Sequence, residues 1–130
     1  MKLFQRVLFF VPGLINILPI VGALSDEHLV RLYALPVLHA DVALLLRHRA
    51  LVLAIVGGLI LWSSFAPRLR GAATIAGLTG MLSFAVFVLA LEPTNAMLLK
   101  VAWVDVLAAV MLGSAYVLHW RSGSRSRIGG

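Results

Sequence analysis

Four apolar runs constrain this chain more than any other feature, because each is about as long as the roughly 20 residues a helix needs to cross a hydrocarbon core of about 30 Å. They cover approximately Val7 to Leu24, Ala50 to Ala66, Ala72 to Leu91 and Ala96 to Trp120. None shows the period-2 alternation of a barrel strand, so helices are the expected form. With 62% hydrophobic and 12% charged residues and a mean hydropathy of +1.02, a chain of 130 residues cannot bury its apolar surface in one small soluble core. The composition calls for a lipid bilayer as the solvent. The expected fold is therefore all-α, an integral membrane bundle of four transmembrane helices.

Punctuation between the runs sets the boundaries. Ser25, Asp26 and Glu27 follow the first run, and Pro67, Arg68, Leu69, Arg70 and Gly71 separate the second from the third. Glu92, Pro93, Thr94 and Asn95 form the turn into the fourth, where proline cannot continue the preceding helical ladder. Connections this short make neighbours antiparallel. Beyond Pro36 the sequence reads as one helix from Val37 to Ala66, long enough to extend past the bilayer on one side. A single domain over residues 1–120 is expected, with helices at about 7–24, 37–66, 72–91 and 96–120. The first run also admits a second reading as a cleavable signal peptide, because Lys2 and Arg6 precede it and Val21, Gly22 and Ala23 close it with small residues. Pro12, Asn16 and Pro19 fit an irregular packed membrane helix better.

Charge gives an orientation. The net charge of +6 in a soluble protein would point to nucleic acid, but here the basic residues flank apolar spans, where headgroups and topology account for them. No nucleic-acid partner is expected. With both termini cytoplasmic, the inner side holds Lys2, Arg6, Arg68, Arg70, Arg121, Arg125 and Arg127 and no acidic residue. The outer side holds Arg31, Arg47, Arg49 and Lys100, among Asp26, Glu27, Asp41 and Glu92. The positive-inside rule selects this arrangement. Residues 121–130, RSGSRSRIGG, then read as a basic, flexible cytoplasmic tail.

The outer side carries most of the polar chemistry. Asp26 to Leu35 can form one or two amphipathic turns with Leu29, Leu32 and Tyr33 toward the bilayer. Asp105, in WVDVLAAV, has no local partner, and a bare carboxylate inside a bilayer costs about 3 kcal/mol or more. Counted from the cytoplasmic anchors at 1.5 Å per residue, Arg47 and Arg49 lie within about 5 to 8 Å of Asp105 in height. Ala54 and Gly58 fall within about 20° of Arg47 on the helix, whereas Arg49 points about 200° away. Arg47 is thus the expected inward cation for Asp105, with Arg49 at the headgroup boundary and His48 between. Ala102, Ala108 and Ala109 share the face of Asp105 and suit close helix contact. Lys100 completes a candidate ion-pair or binding cluster of Arg47, His48, Arg49, Lys100 and Asp105, with His39, Asp41 and Asn95 as secondary polar residues on the same side. His39 and Asp41 stand about 200° apart on a helix, so no metal site is expected. The absence of cysteine removes disulfides and thiolate ligands, and no cofactor-binding motif is present.

The order LxxLYALPxLHADVALLLRHRALVLAIVGG, SSFAPRLRGAA, LSFAVFVLAL and TNAMLLKVAWVDVLAAV resembles a family of small bacterial four-helix membrane proteins, many of which carry the name phosphopantetheine adenylyltransferase. The resemblance covers most of the chain and is most specific at RHRA and KVAWVD. It implies a multi-pass protein of a bacterial inner membrane and supplies no catalytic residues. Soluble enzymes of that name resemble nucleotidyltransferases with an HxGH-like motif for ATP phosphates. The histidines here lie in EHLV, LHAD, RHRA and LHWR, and neither a P-loop nor a GxGxxG turn is present. Adenylyl transfer is not expected from these residues.

Three roles follow from this pattern. The first is a non-enzymatic structural or partner-binding subunit, whose Arg/Asp pair fixes helix register and whose partners are the lipid bilayer and a second copy or another membrane protein. The second is an oligomeric binder or carrier of a small anionic or lipid-like molecule held by Arg47, Arg49 and Lys100. The third is a membrane enzyme using His48 and Asp105 for proton transfer.

Overall fold

The computed structural model describes residues 2–35, 37–91 and 95–128, with side chains described as far as residue 122. It is 91% helical, with five α-helices among the described residues. These are α1 (Lys2–Ile17), α2 (Asp26–Tyr33), α3 (Ala40–Ser63), α4 (Arg70–Leu91) and α5 (Ala96–Ile128). Two 3₁₀ segments, Leu18–Ala23 and Pro67–Leu69, follow α1 and precede α4. Among the described residues four stretches are long and apolar enough to cross a membrane: Leu3–Ala23, Ala40–Ser63, Pro67–Leu91 and Ala96–Ser122.

The four long helices form a ring. α1 lies against α3 and α5, and α4 lies against α5 and α3, while the backbones of the diagonal pairs α1/α4 and α3/α5 do not approach one another. The short α2 sits across one end of this ring, touching the first 3₁₀ segment, α3 and α5. That end is called the capped end below. A core of Phe9, Ile60, Ala73, Met81, Ala108, Ala109, Leu112 and Ala115 joins all four long helices. A second cluster of Leu29, Tyr33 and Ala43 seats α2 on the bundle. The outward surfaces remain apolar, with Ile55, Trp62, Ile75, Leu89, Trp103 and Trp120 exposed. The tryptophans thus lie on the outer surface, where a bilayer would meet them.

Small residues set the closest helix contact. A Cβ added at Gly13 would lie 2.7 Å from the Leu61 nitrogen and 3.0 Å from the Gly57 oxygen, and one at Gly57 would lie 2.8 Å from the Gly13 oxygen. α1 and α3 therefore touch backbone to backbone. Spacing in the sequence singles out Ala54/Gly58, Ala73/Gly77 and Ala109/Gly113 as packing pairs. Ala73 and Gly77 are buried as expected, and Ala109 is buried too. Gly58 and Gly113 face open space, so the contact in α3 belongs to Gly57, one residue earlier.

Several boundaries differ from the sequence reading. α1 begins earlier than residue 7 and gives way after Ile17 to a 3₁₀ segment with proline at its start. α3 spans 40–63 rather than 37–66, because His39 is extended at its N-cap. At the far end Ala66 leaves the helical region just ahead of Pro67, whose ring disfavours a helical predecessor. α5 runs on through 121–128 where a flexible tail was expected, since once a helix exists each further residue adds one backbone bond. Pro36 and the Glu92–Thr94 part of the expected turn lie outside the described residues.

Candidate functional site

The capped end is built from the linker after α1. Ser25 is extended and its Oγ accepts the His28 N–H at 3.3 Å, which caps α2, while Asp26 and Glu27 occupy the first turn where the helix dipole favours negative charge. Glu27 pairs with Arg31 one turn on. At the other end Ala34 adopts the left-handed conformation (φ 49°), and the Leu35 N–H reaches back to the Val30 carbonyl at 3.2 Å. This stop lets α2 turn Leu29 and Tyr33 inward. Both are buried, whereas Leu32 stays exposed. α2 is thus a lid packed on the bundle, and two of the three residues expected to face lipid face protein instead.

Two polar links hold the lid. Arg47 Nη2 donates to Asp26 Oδ1 at 2.7 Å, tying α3 to the start of α2. Asn95 Nδ2 donates to the Tyr33 carbonyl at 2.6 Å, and Asn95 Oδ1 accepts the Met97 N–H at 2.9 Å. One asparagine therefore caps α5 and satisfies an orphan carbonyl at the end of α2. Sequence reasoning selected Asn95 and left its two bonds unseen, because one partner is 62 residues away.

The expected Arg47–Asp105 pair does not form. Arg47 turns to Asp26 instead. Arg49 lays its guanidinium on the Phe84 ring at 3.8 Å from the centroid, with the Tyr33 ring at 5.9 Å. Ala54 and Gly58 do not mark the contact face of α3: the glycine that meets α1 is Gly57. Gly57 stands about 80° from each arginine, on opposite sides, and the core residue Ile60 lies about 20° from Arg49, so Arg49 shares the core-facing side of α3. Ala102, Ala108 and Ala109 are all buried around the partly buried Asp105, as the small-residue face predicts. Arg49 and Asp105 make no hydrogen bond and do not reach ion-pair distance of each other or of any other described residue. The structure brings Arg49, Phe84 and Tyr33 together, and leaves His48, Lys100, His39 and Asp41 exposed. Among the described residues no group of three metal-ligating side chains occurs.

A second polar cluster lies at the opposite end and was missed. Arg70, counted from sequence among the headgroup-facing charges, is only 6% exposed. Its Nε donates to the Ser63 carbonyl at 3.2 Å and its Nη2 to the Ser64 carbonyl at 3.4 Å, both at the C-terminus of α3. Nη1 lies 3.1 Å from His119 Nδ1, and the guanidinium stands 5.0 Å from the Phe9 ring centroid. Arginine can only donate, so His119 Nδ1 accepts and its proton sits on Nε2. Cation, helix C-terminus and orphan carbonyls match one another electrostatically. The signal was in the spacing: Arg70, Ala73, Thr74, Gly77 and Met81 share one buried face of α4.

No protein-family model, curated protein or solved structure matches the chain. The functional reading therefore rests on the residues themselves.

Proposed function

We propose that the chain is a multi-pass protein of a bacterial inner membrane, with both termini cytoplasmic and the α2 lid outside, acting as a non-enzymatic structural or partner-binding subunit. The observation that carries this reading is the use of polar side chains at the capped end. Asp26, Arg47 and Asn95 are engaged in fastening α2 to the bundle. Such links rigidify an element and fix register. The four spans, meanwhile, expose broad apolar surfaces to whatever surrounds them. In a bilayer those surfaces meet lipid, a second copy or another membrane protein.

The test is site-specific photocrosslinking in native membranes, with the reactive side chain placed at Trp62, Ile75, Val86, Trp103 or Val110 in turn. A protein adduct confined to one helix face supports a subunit role. Lipid adducts at every position contradict it. A second reading, an oligomeric binder or carrier of a small anionic or lipid-like molecule, is favoured by one observation: the Arg49 guanidinium lies over the Phe84 ring at 3.8 Å and has no salt-bridge partner among the described residues.

A further inference from the structure

One hydrogen bond at the end opposite the lid depends on the protonation state of its acceptor. Arg70 Nη1 stands 3.1 Å from His119 Nδ1. A guanidinium has donors alone, so the ring nitrogen must keep its lone pair, and an imidazolium, with N–H on both nitrogens, has none to offer. Proton binding at Nδ1 thus turns a hydrogen bond into two cations at contact distance. Nothing at this end offsets that repulsion. Among the described side chains, the other charged groups there are Arg6 of α1, Arg68 just ahead of α4 and Arg121 of α5. Tyr116 of α5, whose hydroxyl lies by Gly71, is the remaining titratable group, and the end of α3 brings only Ser63 and Ser64. The acidic residue of α5, Asp105, lies 14 residues away, about 21 Å along the helix.

The bonds made by Arg70 differ in kind. Its Nε and Nη2 donate to the Ser63 and Ser64 carbonyls at 3.2 and 3.4 Å, and backbone carbonyls do not titrate. Only the bond to α5 responds to protons. Two buried hydroxyls also weigh against the closed arrangement. Ser64 Oγ, on a residue whose carbonyl holds Arg70, and Thr74 Oγ1, one turn along α4, have no hydrogen-bond partner among the described residues. Water admitted by a withdrawing α5 would satisfy them.

We propose that Arg70 and His119 form a proton-released latch between α5 and the α3/α4 junction. A neutral imidazole holds this stretch of α5 against Arg70; an imidazolium frees it, while Arg70 stays on Ser63 and Ser64. α5 continues past the latch to Ile128 through Arg121, Arg125 and Arg127, so release sets a basic helical segment loose from the bundle. The open form binds a proton that the closed form excludes, so the latch weakens as pH falls below about 6.5, where an exposed histidine titrates. Linkage gives roughly a tenfold rise in the opening constant between about pH 7.5 and about pH 5.5. The latch works the same whichever way the chain crosses a membrane.

The experiment follows amide hydrogen exchange of the full chain in a non-ionic detergent at about pH 7.5 and about pH 5.5, each rate divided by its intrinsic value at that pH. Opening of residues 116–122 should rise about tenfold on acidification, with residues 60–66 and 72–78 unchanged. His119→Asn offers a neutral acceptor that does not titrate and should stay closed at both pH values, whereas His119→Lys, a fixed cation, should be open at both. Where His119→Asn fails to fold, His119→Gln takes its place with the same expectation. An opening constant that does not change with pH in the unsubstituted chain overturns the latch. So does a tenfold rise that persists in His119→Asn, which would belong to another group. Equal loosening of residues 60–66 overturns it too, since the whole end would then be unfolding.

Discussion

Replacing Gly57 and Gly58 by alanine, one at a time, probes how α1 and α3 are held together. A Cβ at Gly57 would meet the Gly13 oxygen at 2.8 Å, Asn16 Cβ at 2.9 Å and Ile17 Cγ1 at 2.9 Å. Two of these atoms are fixed to the α1 backbone and cannot rotate away. Ordinary contact begins near 3.4 Å, so the helices must part by about half an ångström along a contact that also holds Gly13 against Leu61. Overpacking of this kind costs about 1–3 kcal/mol. The intrinsic preference of a helix for alanine returns at most about 1 kcal/mol. Gly57→Ala should therefore destabilise by about 1–2 kcal/mol. Gly58→Ala meets nothing within 4 Å and should be neutral or stabilising by up to about 1 kcal/mol. Reversible unfolding in mixed micelles, with increasing denaturing detergent, reads both. If the two variants lose the same stability, or Gly58→Ala loses more, the α1/α3 contact is not where it is described.

Asn95→Ala removes an N-cap and uncovers the Tyr33 carbonyl, so it should cost about 1–2 kcal/mol. Hydrogen exchange should show faster opening in both α2 and the first turn of α5; faster exchange in α5 alone would mean that the tether to α2 carries nothing. Arg70→Gln leaves the α3 terminal carbonyls short of a charged donor and should cost about 2–3 kcal/mol by the same unfolding assay. A loss within about 0.5 kcal/mol, the range of ordinary surface changes, would place Arg70 at the surface instead.

The helical architecture was legible because each span announces itself by length and apolarity, and those properties survive without any knowledge of neighbours. The small-residue face around Asp105 was legible for the same reason: Ala102, Ala108 and Ala109 recur at helical spacing and are buried. What failed was rotation about a helix axis. Adjacent glycines at 57 and 58 gave no local signal to choose between them, and the choice turns the contact face by about 100°, from beside Arg47 to midway between Arg47 and Arg49. The lid was half legible. Ser25, Asp26 and Glu27 announce a helix start, but whether Leu29 faces lipid or protein is decided by the 3₁₀ segment at Gly22, whose bare Cα leaves room for Leu29 Cδ2. Arg70 escaped because a basic residue next to Pro67 in a junction reads as solvated, although its spacing to Ala73, Thr74 and Gly77 placed it on the buried face.

Three double-mutant cycles measure most directly which arginine of α3 faces Asp105 and which faces the lid. Arg49→Gln is combined with Asp105→Asn, and Arg47→Gln is combined separately with Asp105→Asn and with Asp26→Asn, each set in the same micelles. With Arg49 on the core-facing side of α3, Asp105 should couple more strongly to Arg49 than to Arg47, and Arg47 and Asp105 should be additive within the usual error of independent sites. Arg47 and Asp26, a partly exposed pair, should couple by less than about 1 kcal/mol. Coupling of Asp105 to Arg47, with Arg49 additive, would contradict the account and restore the orientation of α3 that the sequence alone implies.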